Sequence, residues 1–166
     1  MAKISYCLWF DGRAEEAADF YVSVFEDARI LNTERYLEGS PGEAGTVMTV
    51  EFEINGERFL ALNGGPQYTF TPALSIVATC DSQGEIDDLW DKLTDGGTEV
   101  ACGWLTDKFG VSWQIVPEGV DEMLGSSDRE AAQRAFSAMM GMVKIDVDEL
   151  HRAFEGAGSA RDETAA

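Results

Sequence analysis

The strongest constraint on the fold is residues 46–63, TVMTVEFEINGERFLALN, which alternate apolar and polar side chains around a central Asn-Gly pair. Such alternation is typical of a half-buried β-strand, and Asn55-Gly56 supplies the two positive φ angles that a type I′ turn requires. Because a two-residue turn fixes the register, each apolar position acquires a defined partner. The predicted pairs are Ile54–Glu57, Phe52–Phe59 and Val50–Ala61.

The order of predicted elements repeats along the chain. Residues 4–10 (ISYCLWF) predict a strand that leads into a helical pattern, and residues 74–79 (LSIVAT) do the same ahead of a capping box formed by Ser82 and Glu85. Further strands are predicted over 28–36, 99–104 and 111–116. The repeat indicates an α+β fold of two βαβββ modules, module one over about residues 3–65 and module two over about residues 73–117.

The remaining sequence predicts a C-terminal helical extension over about 118–156, here called the tail. Ser127 with Glu130 and Asp146 with Glu149 form two further capping boxes. An apolar stripe follows at helical spacing, comprising Phe136, Met139, Met140, Leu150 and Phe154. We expect the tail to close over the modules or a second copy of the chain. Residues 1–156 are therefore predicted to form one domain, residues 157–166 a flexible end, and the protein a homodimer.

Charge and composition exclude several classes of function. The chain carries 31 acidic and 12 basic residues, a net charge of −19, which disfavours nucleic acid and anionic membranes as partners. No apolar run approaches the roughly 18 residues of a membrane span, and no signal peptide is visible, so we expect a cytoplasmic protein. Three cysteines without a CxxC pattern indicate free thiols. The acidic surface serves either solubility or attraction of a cationic ligand.

Several motifs resemble a known superfamily. The segments AEEAADFYVSVF and DKFGVSWQIVP, within paired βαβββ units, resemble the vicinal-oxygen-chelate (VOC) superfamily, which contains glyoxalase I, extradiol dioxygenases and bleomycin-resistance proteins. NGERFLALNGGPQYTF, CGWLTDKFGVSWQIVP and AFSAMMGMVKID resemble its PhnB-like branch, whose members often carry the name 3-demethylubiquinone-9 3-methyltransferase. The resemblance covers residues 3–155 and implies a cup-shaped mixed sheet. A methyltransferase needs a glycine-rich loop that opens a helix, whereas Gly64-Gly65 follow a hairpin.

The resemblance also implies positions for metal ligands, on the first and last strand of each module. These positions are Ser5 or Tyr6, the segment Ala61 to Asn63, Ser75 and Gln114. Only Gln114 is a plausible ligand, and an amide alone binds divalent cations weakly. The single histidine, His151, lies in the tail, and Glu51 belongs to a solvated strand face. We therefore predict no metal and no cofactor.

The cup can instead hold a small molecule. Alternation places Ser112, Gln114 and Val116 toward the cavity and Val111, Trp113 and Ile115 toward the core. The predicted ligand-binding residues are Trp9, Asn63, Phe70, Cys102, Trp104, Ser112 and Gln114. For any one of them taken alone, ordinary core or loop packing is an equally good explanation. Cys102 has no histidine partner, and Lys108 is its nearest base, so an inert thiol is favoured over a nucleophile.

Three classes of function follow from these residues. The first is a metal-free protein that binds a small cationic or aromatic molecule. The alternative is a lyase, isomerase or oxygenase of the VOC type that uses a metal or acid–base chemistry, with no catalytic residue identified. The third is a partner-binding module that uses the methionines at 139, 140 and 142, for which core packing is the commoner role. We favour the first.

Overall fold

A computed structural model describes residues 2–156. Its contacts divide the chain into two compact units, Met1–Thr71 and Pro72–Ala166. Each unit contains one of the predicted modules, and the assignment of one domain to residues 1–156 stays a prediction. The predicted flexible end, 157–166, lies outside the described residues. No helix within 2–156 is long and apolar enough to cross a membrane.

Module one has the predicted order of elements. These are β1 (Tyr6–Phe10), α1 (Ala14–Val24), β2 (Ala28–Arg35), β3 (Val47–Ile54) and β4 (Glu57–Asn63). The strands lie in the order β1-β4-β3-β2, with β1 and β4 parallel and the other pairs antiparallel. The predicted hairpin register is confirmed, including Phe52 opposite Phe59. Asn55 and Gly56 have the positive φ angles that the turn requires, 48° and 84°.

The core of module one lies between its sheet and α1. Helix α1 contacts strands β3 and β4, and it buries three alanines, Tyr21 and Val24. The Phe52 ring stacks on Phe59 with ring centroids 5.2 Å apart and on Tyr21 at 5.9 Å. Burial of each such side chain contributes about 1.5–3 kcal/mol to folding. The alternation read from the sequence therefore places one face of the sheet in the core.

Module two has the same connectivity with shorter strands. Its elements are β5 (Ser75–Cys80), α2 (Gln83–Thr94), β6 (Thr98–Glu99), β7 (Trp104–Thr106) and β8 (Ser112–Pro117). The strand order β5-β8-β7-β6 repeats that of module one. Ser82 caps α2 as predicted, because its Oγ accepts a hydrogen bond from the Glu85 amide at 3.3 Å. The strand predicted over 99–104 is wrong in its middle, since residues 100–103 form a turn.

The tail contains three helices, α3 (Val120–Leu124), α4 (Arg129–Met140) and α5 (Val147–Glu155). The cap of α4 is Asp128, one residue after the predicted Ser127, because the Asp128 carboxylate accepts from the Ala131 amide at 3.0 Å. The Asp146 cap of α5 is confirmed, with 2.8 Å to the Glu149 amide. The helices share a core formed by Val120, Ala135, Met142, Ile145 and Leu150.

Two sets of hydrogen bonds attach the tail to module two. The amides of Cys102 and Gly103 donate to the carbonyls of Met142 and Val143, each at 2.8 Å. The Gln83 side chain, at the start of α2, donates to the Ile145 carbonyl at 3.1 Å and accepts from the Val147 amide at 2.9 Å. The tail is therefore structurally integrated into the second unit.

Candidate functional site

Strand β8 of module two separates a buried face from an open one, as the alternation predicts. Trp113 and Ile115 are buried, whereas Gln114 and Val116 are half-buried on the opposite face. On the neighbouring strand β5, Val77 and Thr79 pair with Gln114 and Val116 and are exposed. Side chains of paired residues share a sheet face. We call this surface, formed by Val77, Thr79, Gln114 and Val116, the open face of module two.

Gln114 is held on the open face by a neighbouring hydroxyl. Its Nε2 donates a hydrogen bond to Ser75 Oγ at 2.9 Å. Trp104 lies opposite Gln114 in the β7–β8 register and is half-buried. The structure thus brings together two of the predicted ligand residues, Gln114 and Trp104, and adds Ser75. Ser112, at the start of β8, is only 3% exposed.

A cavity of about 400 Å³, here the module-two cavity, covers this face. Its lining consists of Val77, Thr79, Gln114, Val116, Pro117, Gly119, Val120, Asp121 and Glu122. The lining combines an apolar floor with one amide, one hydroxyl and two carboxylates, and it contains no basic residue. Asp121 and Glu122 were not predicted from the sequence. Their signal is PEGVDE directly after β8, where Gly119 adopts a φ of 78° and turns the chain into α3.

Cys102 lies away from the module-two cavity, against the tail. Its Sγ is 3.5 Å from the thioether sulfur of Met140, and its own backbone has a left-handed φ of 60°. The thiol is therefore packed against α4.

Cys80 is a second packed thiol. Its burial, followed by the negative charges of Glu85 and Asp81, raises the pKa of the thiol to about 12. His151 is exposed on α5.

The position of β8 depends on Asp107, a residue that the sequence reasoning missed. Asp107 is 3% exposed. Its Oδ1 accepts hydrogen bonds from the amides of Phe109 and Val111, at 2.8 and 3.1 Å, and its Oδ2 accepts from Trp113 Nε1 at 2.9 Å. This carboxylate closes the β7–β8 turn and fixes the buried face of the strand that carries Gln114. The signal was Asp-x-x-Gly ahead of the strand, typical of a side-chain-stabilised turn.

The predicted ligand-binding residues of module one make structural contacts within that module. Asn63 Oδ1 accepts from the Ala14 amide at 2.8 Å, and Nδ2 donates to the Val47 carbonyl at 3.0 Å. Trp9 Nε1 donates to the Gly65 carbonyl at 2.8 Å. The Phe70 ring meets Phe10 edge-on, with centroids 5.2 Å apart. Of these, Asn63 also lines a cavity.

The donor chemistry of the implied metal positions does not fit a divalent cation. In module two it consists of the Gln114 amide and the Ser75 hydroxyl, which bond to each other. In module one, Tyr6 stacks on Phe59 and Ala61 is fully buried. Such cations prefer carboxylate or imidazole ligands. Within residues 2–156 no group of three His, Cys, Asp or Glu side chains is arranged so that it could hold a metal ion. A metal-free site stays a prediction.

Known structures with the same architecture include three informative examples. A PhnB protein of Bacillus cereus, described as a candidate 3-demethylubiquinone-9 3-methyltransferase, is 39% identical, with a TM-score of 0.64 over 70% of this chain and 99% of that chain. Protein PA1353 of Pseudomonas aeruginosa is 22% identical, with a TM-score of 0.59 over 71% and 98%. The fosfomycin resistance protein FosX of Listeria monocytogenes is 12% identical, with a TM-score of 0.50 over 74% of this chain and 97% of that chain. The last two show the fold alone.

Sequence comparison agrees with the structural one. No curated protein sequence matches the chain significantly. The model of the family described as 3-demethylubiquinone-9 3-methyltransferase matches residues 2–116, which is more than half of the chain. Together with the Bacillus cereus relative, this match shows that the chain belongs to that family, the PhnB-like branch of the VOC superfamily.

Proposed function

We propose that the protein binds a small cationic or aromatic molecule on the open face of module two, without a metal ion. The observation that carries the proposal is the module-two cavity, in which an apolar floor, the Gln114 amide and two carboxylates meet. Its volume of about 400 Å³ falls in the range of small-molecule sites.

The floor supports an apolar or aromatic ligand body. Val77 is 54% exposed and pairs with Gln114 on the open face, which also carries Val116. An exposed aliphatic patch inside a concave surface gains free energy when a ligand removes it from water. Trp104, opposite Gln114 on the same sheet, offers an aromatic neighbour. Gln114 provides the directional contact, because its amide oxygen is not used in the bond to Ser75.

The rim supports a positive charge on the ligand. Asp121 and Glu122 line the cavity without any accompanying base. The net charge of −19 adds a field that raises the local concentration of cations. Asp121 and Glu122 are also the only titratable residues in the lining, so an acid–base lyase or isomerase activity would depend on them.

The methyltransferase name of the family does not describe the proposed function. The amides of Gly64 and Gly65 both donate to the Phe10 carbonyl, at 3.0 and 3.3 Å. A glycine-rich loop that binds a cofactor needs such amides free for the ligand. In this chain they close the end of the module-one sheet instead, which supports reading the name as a family label.

The proposal is tested by titrating ¹⁵N-labelled protein with benzamidine and with benzamide, its neutral isostere. We expect benzamidine to shift the amide signals of Val77 and Gln114 saturably. The variant Asp121→Asn/Glu122→Gln should weaken its binding by about fivefold, as expected for exposed charge pairs. The control variant Asp91→Asn/Asp95→Asn removes one carboxylate from α2 and one from the residue that caps its C-terminus, and it should leave benzamidine binding unchanged. Unshifted Val77 and Gln114 signals at saturating probe would contradict the proposal.

We further propose that the protein is a cytoplasmic homodimer. Of the predicted stripe, Leu150 is buried in the core of the tail, whereas Phe136 and Met140 are 44% and 54% exposed. Val143 is 48% exposed as well, and exposed apolar side chains of this kind suit contact with a second copy. The three free cysteines suit a reducing compartment. Light scattering should give twice 18.1 kDa, and a mass near 18.1 kDa would refute the dimer.

A further inference from the structure

A hydrogen bond joins the two parallel strands of module two on their open face. Ser75 begins β5 and Gln114 lies in the middle of β8. In the strand register Ser75 pairs with Ser112, and Gln114 pairs with Val77. The bond from Gln114 Nε2 to Ser75 Oγ, 2.9 Å long, therefore runs diagonally between the strands. It holds the end of a long side chain that would otherwise move over the sheet.

The bond to Ser75 uses only part of the hydrogen-bonding capacity of Gln114. A glutamine side chain carries two N–H donors and a carbonyl oxygen that accepts. Within residues 2–156 the Gln114 side chain forms no hydrogen bond other than the one to Ser75. Because Ser75 holds the nitrogen, the carbonyl oxygen Oε1 is the opposite end of the amide and has no partner in this part of the chain. An unused acceptor thus lies on the open face.

Ser75 can influence a ligand only through Gln114. Gln114 lines the module-two cavity, whereas Ser75 is not part of the lining. The last torsion of a glutamine side chain is broad, so an unanchored amide can turn either its oxygen or its nitrogen toward a ligand. The bond to Ser75 restricts this freedom before a ligand arrives. A contact group that is already ordered lowers the entropic cost of binding.

We infer that Ser75 is a positioning residue, which holds the Gln114 amide so that its oxygen accepts a hydrogen bond from the ligand. The inference rests on the function proposed for module two and narrows the class of ligand. The cavity favours cations that carry N–H groups, such as primary ammonium or amidinium compounds, over quaternary ammonium compounds of equal charge. A quaternary ammonium group has no N–H to donate, so it would leave the Gln114 oxygen without a partner when it displaces water.

The test compares benzylammonium with benzyltrimethylammonium, two cations that share the aromatic ring and a single positive charge. Titration of ¹⁵N-labelled protein, followed at the backbone amide signals of Val77 and Gln114, gives the affinity for each cation. We expect benzylammonium to bind about fivefold more tightly, which is the effect of one hydrogen bond in a half-buried site. Because the two charges are equal, this preference does not report attraction to the acidic surface.

Three variants assign the preference to the Ser75–Gln114 pair. Ser75→Ala should reduce the preference for benzylammonium to below about twofold and leave benzyltrimethylammonium binding unchanged. Ser75→Thr keeps the hydroxyl and suits a strand, so it should retain the preference. Gln114→Leu removes the acceptor itself and should lose the preference as Ser75→Ala does. Ser75 and Gln114 are half-buried, and an unchanged thermal midpoint will confirm that each variant folds.

The outcomes separate the role of Ser75 from the binding function itself. A preference for benzylammonium that survives Ser75→Ala would reflect the smaller size of that cation and would refute the role of Ser75. A parallel loss of affinity for both cations in Ser75→Ala would refute it too, because that is the result of a purely structural role. If the unmodified protein binds both cations equally, the inference fails and the module-two function stands. If neither cation shifts Val77 and Gln114, both fail together.

Discussion

The two modules share one strand order but differ in how much sheet they contain. In module one, β2 and β3 have eight residues each, and the β3–β4 hairpin pairs six residues of each strand. In module two, β6 has two residues and β7 has three. A backbone ladder therefore stabilises the first module along its whole length. The second has a shorter ladder, so more of its stabilisation comes from other contacts.

Module two obtains this stabilisation from buried side chains and from the tail. Asp107 accepts three hydrogen bonds across the β7–β8 turn. The amides of Cys102 and Gly103, which a longer β7 would pair within the sheet, donate to carbonyls of the tail. The comparison shows that two modules with the same topology can be stabilised by different interactions. It also indicates where substitutions will have unequal effects.

The largest expected effect is in module two, from Asp107→Ala. The substitution removes the carboxylate that accepts hydrogen bonds from the amides of Phe109 and Val111 and from the Trp113 indole. We expect the free energy of unfolding to fall by about 3–5 kcal/mol. Urea unfolding followed by tryptophan fluorescence measures it. Asp91→Ala, on the exposed face of α2, should cost less than about 0.5 kcal/mol; a similar small cost for Asp107→Ala would disprove the role of the turn.

An intermediate effect is expected in module one, from Asn63→Ala. The change removes one acceptor from the Ala14 amide and one donor from the Val47 carbonyl, which should cost about 2 kcal/mol. Asn63→Asp keeps the acceptor for the Ala14 amide but sets a carboxylate oxygen against the Val47 carbonyl oxygen, so it should also cost about 1 kcal/mol or more. Thermal unfolding measures both losses. A loss below about 0.5 kcal/mol for Asn63→Asp would contradict the importance of the Val47 contact.

The smallest expected effect is at the hairpin turn. Gly56 has a φ of 84°, which an alanine adopts at a cost of about 1 kcal/mol. Gly84, in the first turn of α2, has open space around its Cβ position apart from Ser82 Oγ at 3.9 Å. Gly84→Ala should therefore stabilise the protein by about 0.5–1 kcal/mol. Opposite signs of the two shifts in denaturation midpoint are the expected result, and a stabilising Gly56→Ala would contradict the turn assignment.

Local patterns in the sequence were sufficient for the elements whose geometry is set nearby. A two-residue Asn-Gly turn determines the whole β3–β4 register, and alternation along β8 determines which face carries Gln114. The repeated order of strand and helix patterns gave the order of both modules, and the family resemblance agreed with it. These predictions are confirmed because neither depends on residues far along the chain.

The parts that the sequence did not reveal depend on distant contacts. Cys102 is directed to α4 by its left-handed backbone and by its hydrogen bond to Met142, forty residues later. Asp121 and Glu122 join the module-two cavity only because the chain turns at Gly119. Leu150, predicted for a surface that contacts a partner, is instead buried by the tail itself. The periodicity of apolar residues in the sequence does not predict such contacts between distant residues.

The hydrogen bonds between module two and the tail have a consequence for synthesis on the ribosome. Chains emerge from their N-terminus, and domains fold as their residues become available. Every strand of the module-one sheet has been translated by Asn63. Gln83, Cys102 and Gly103, in contrast, each have hydrogen-bond partners among residues 142–147. A nascent chain halted before those codons would carry a finished first half and a second half that still lacks four of its hydrogen bonds.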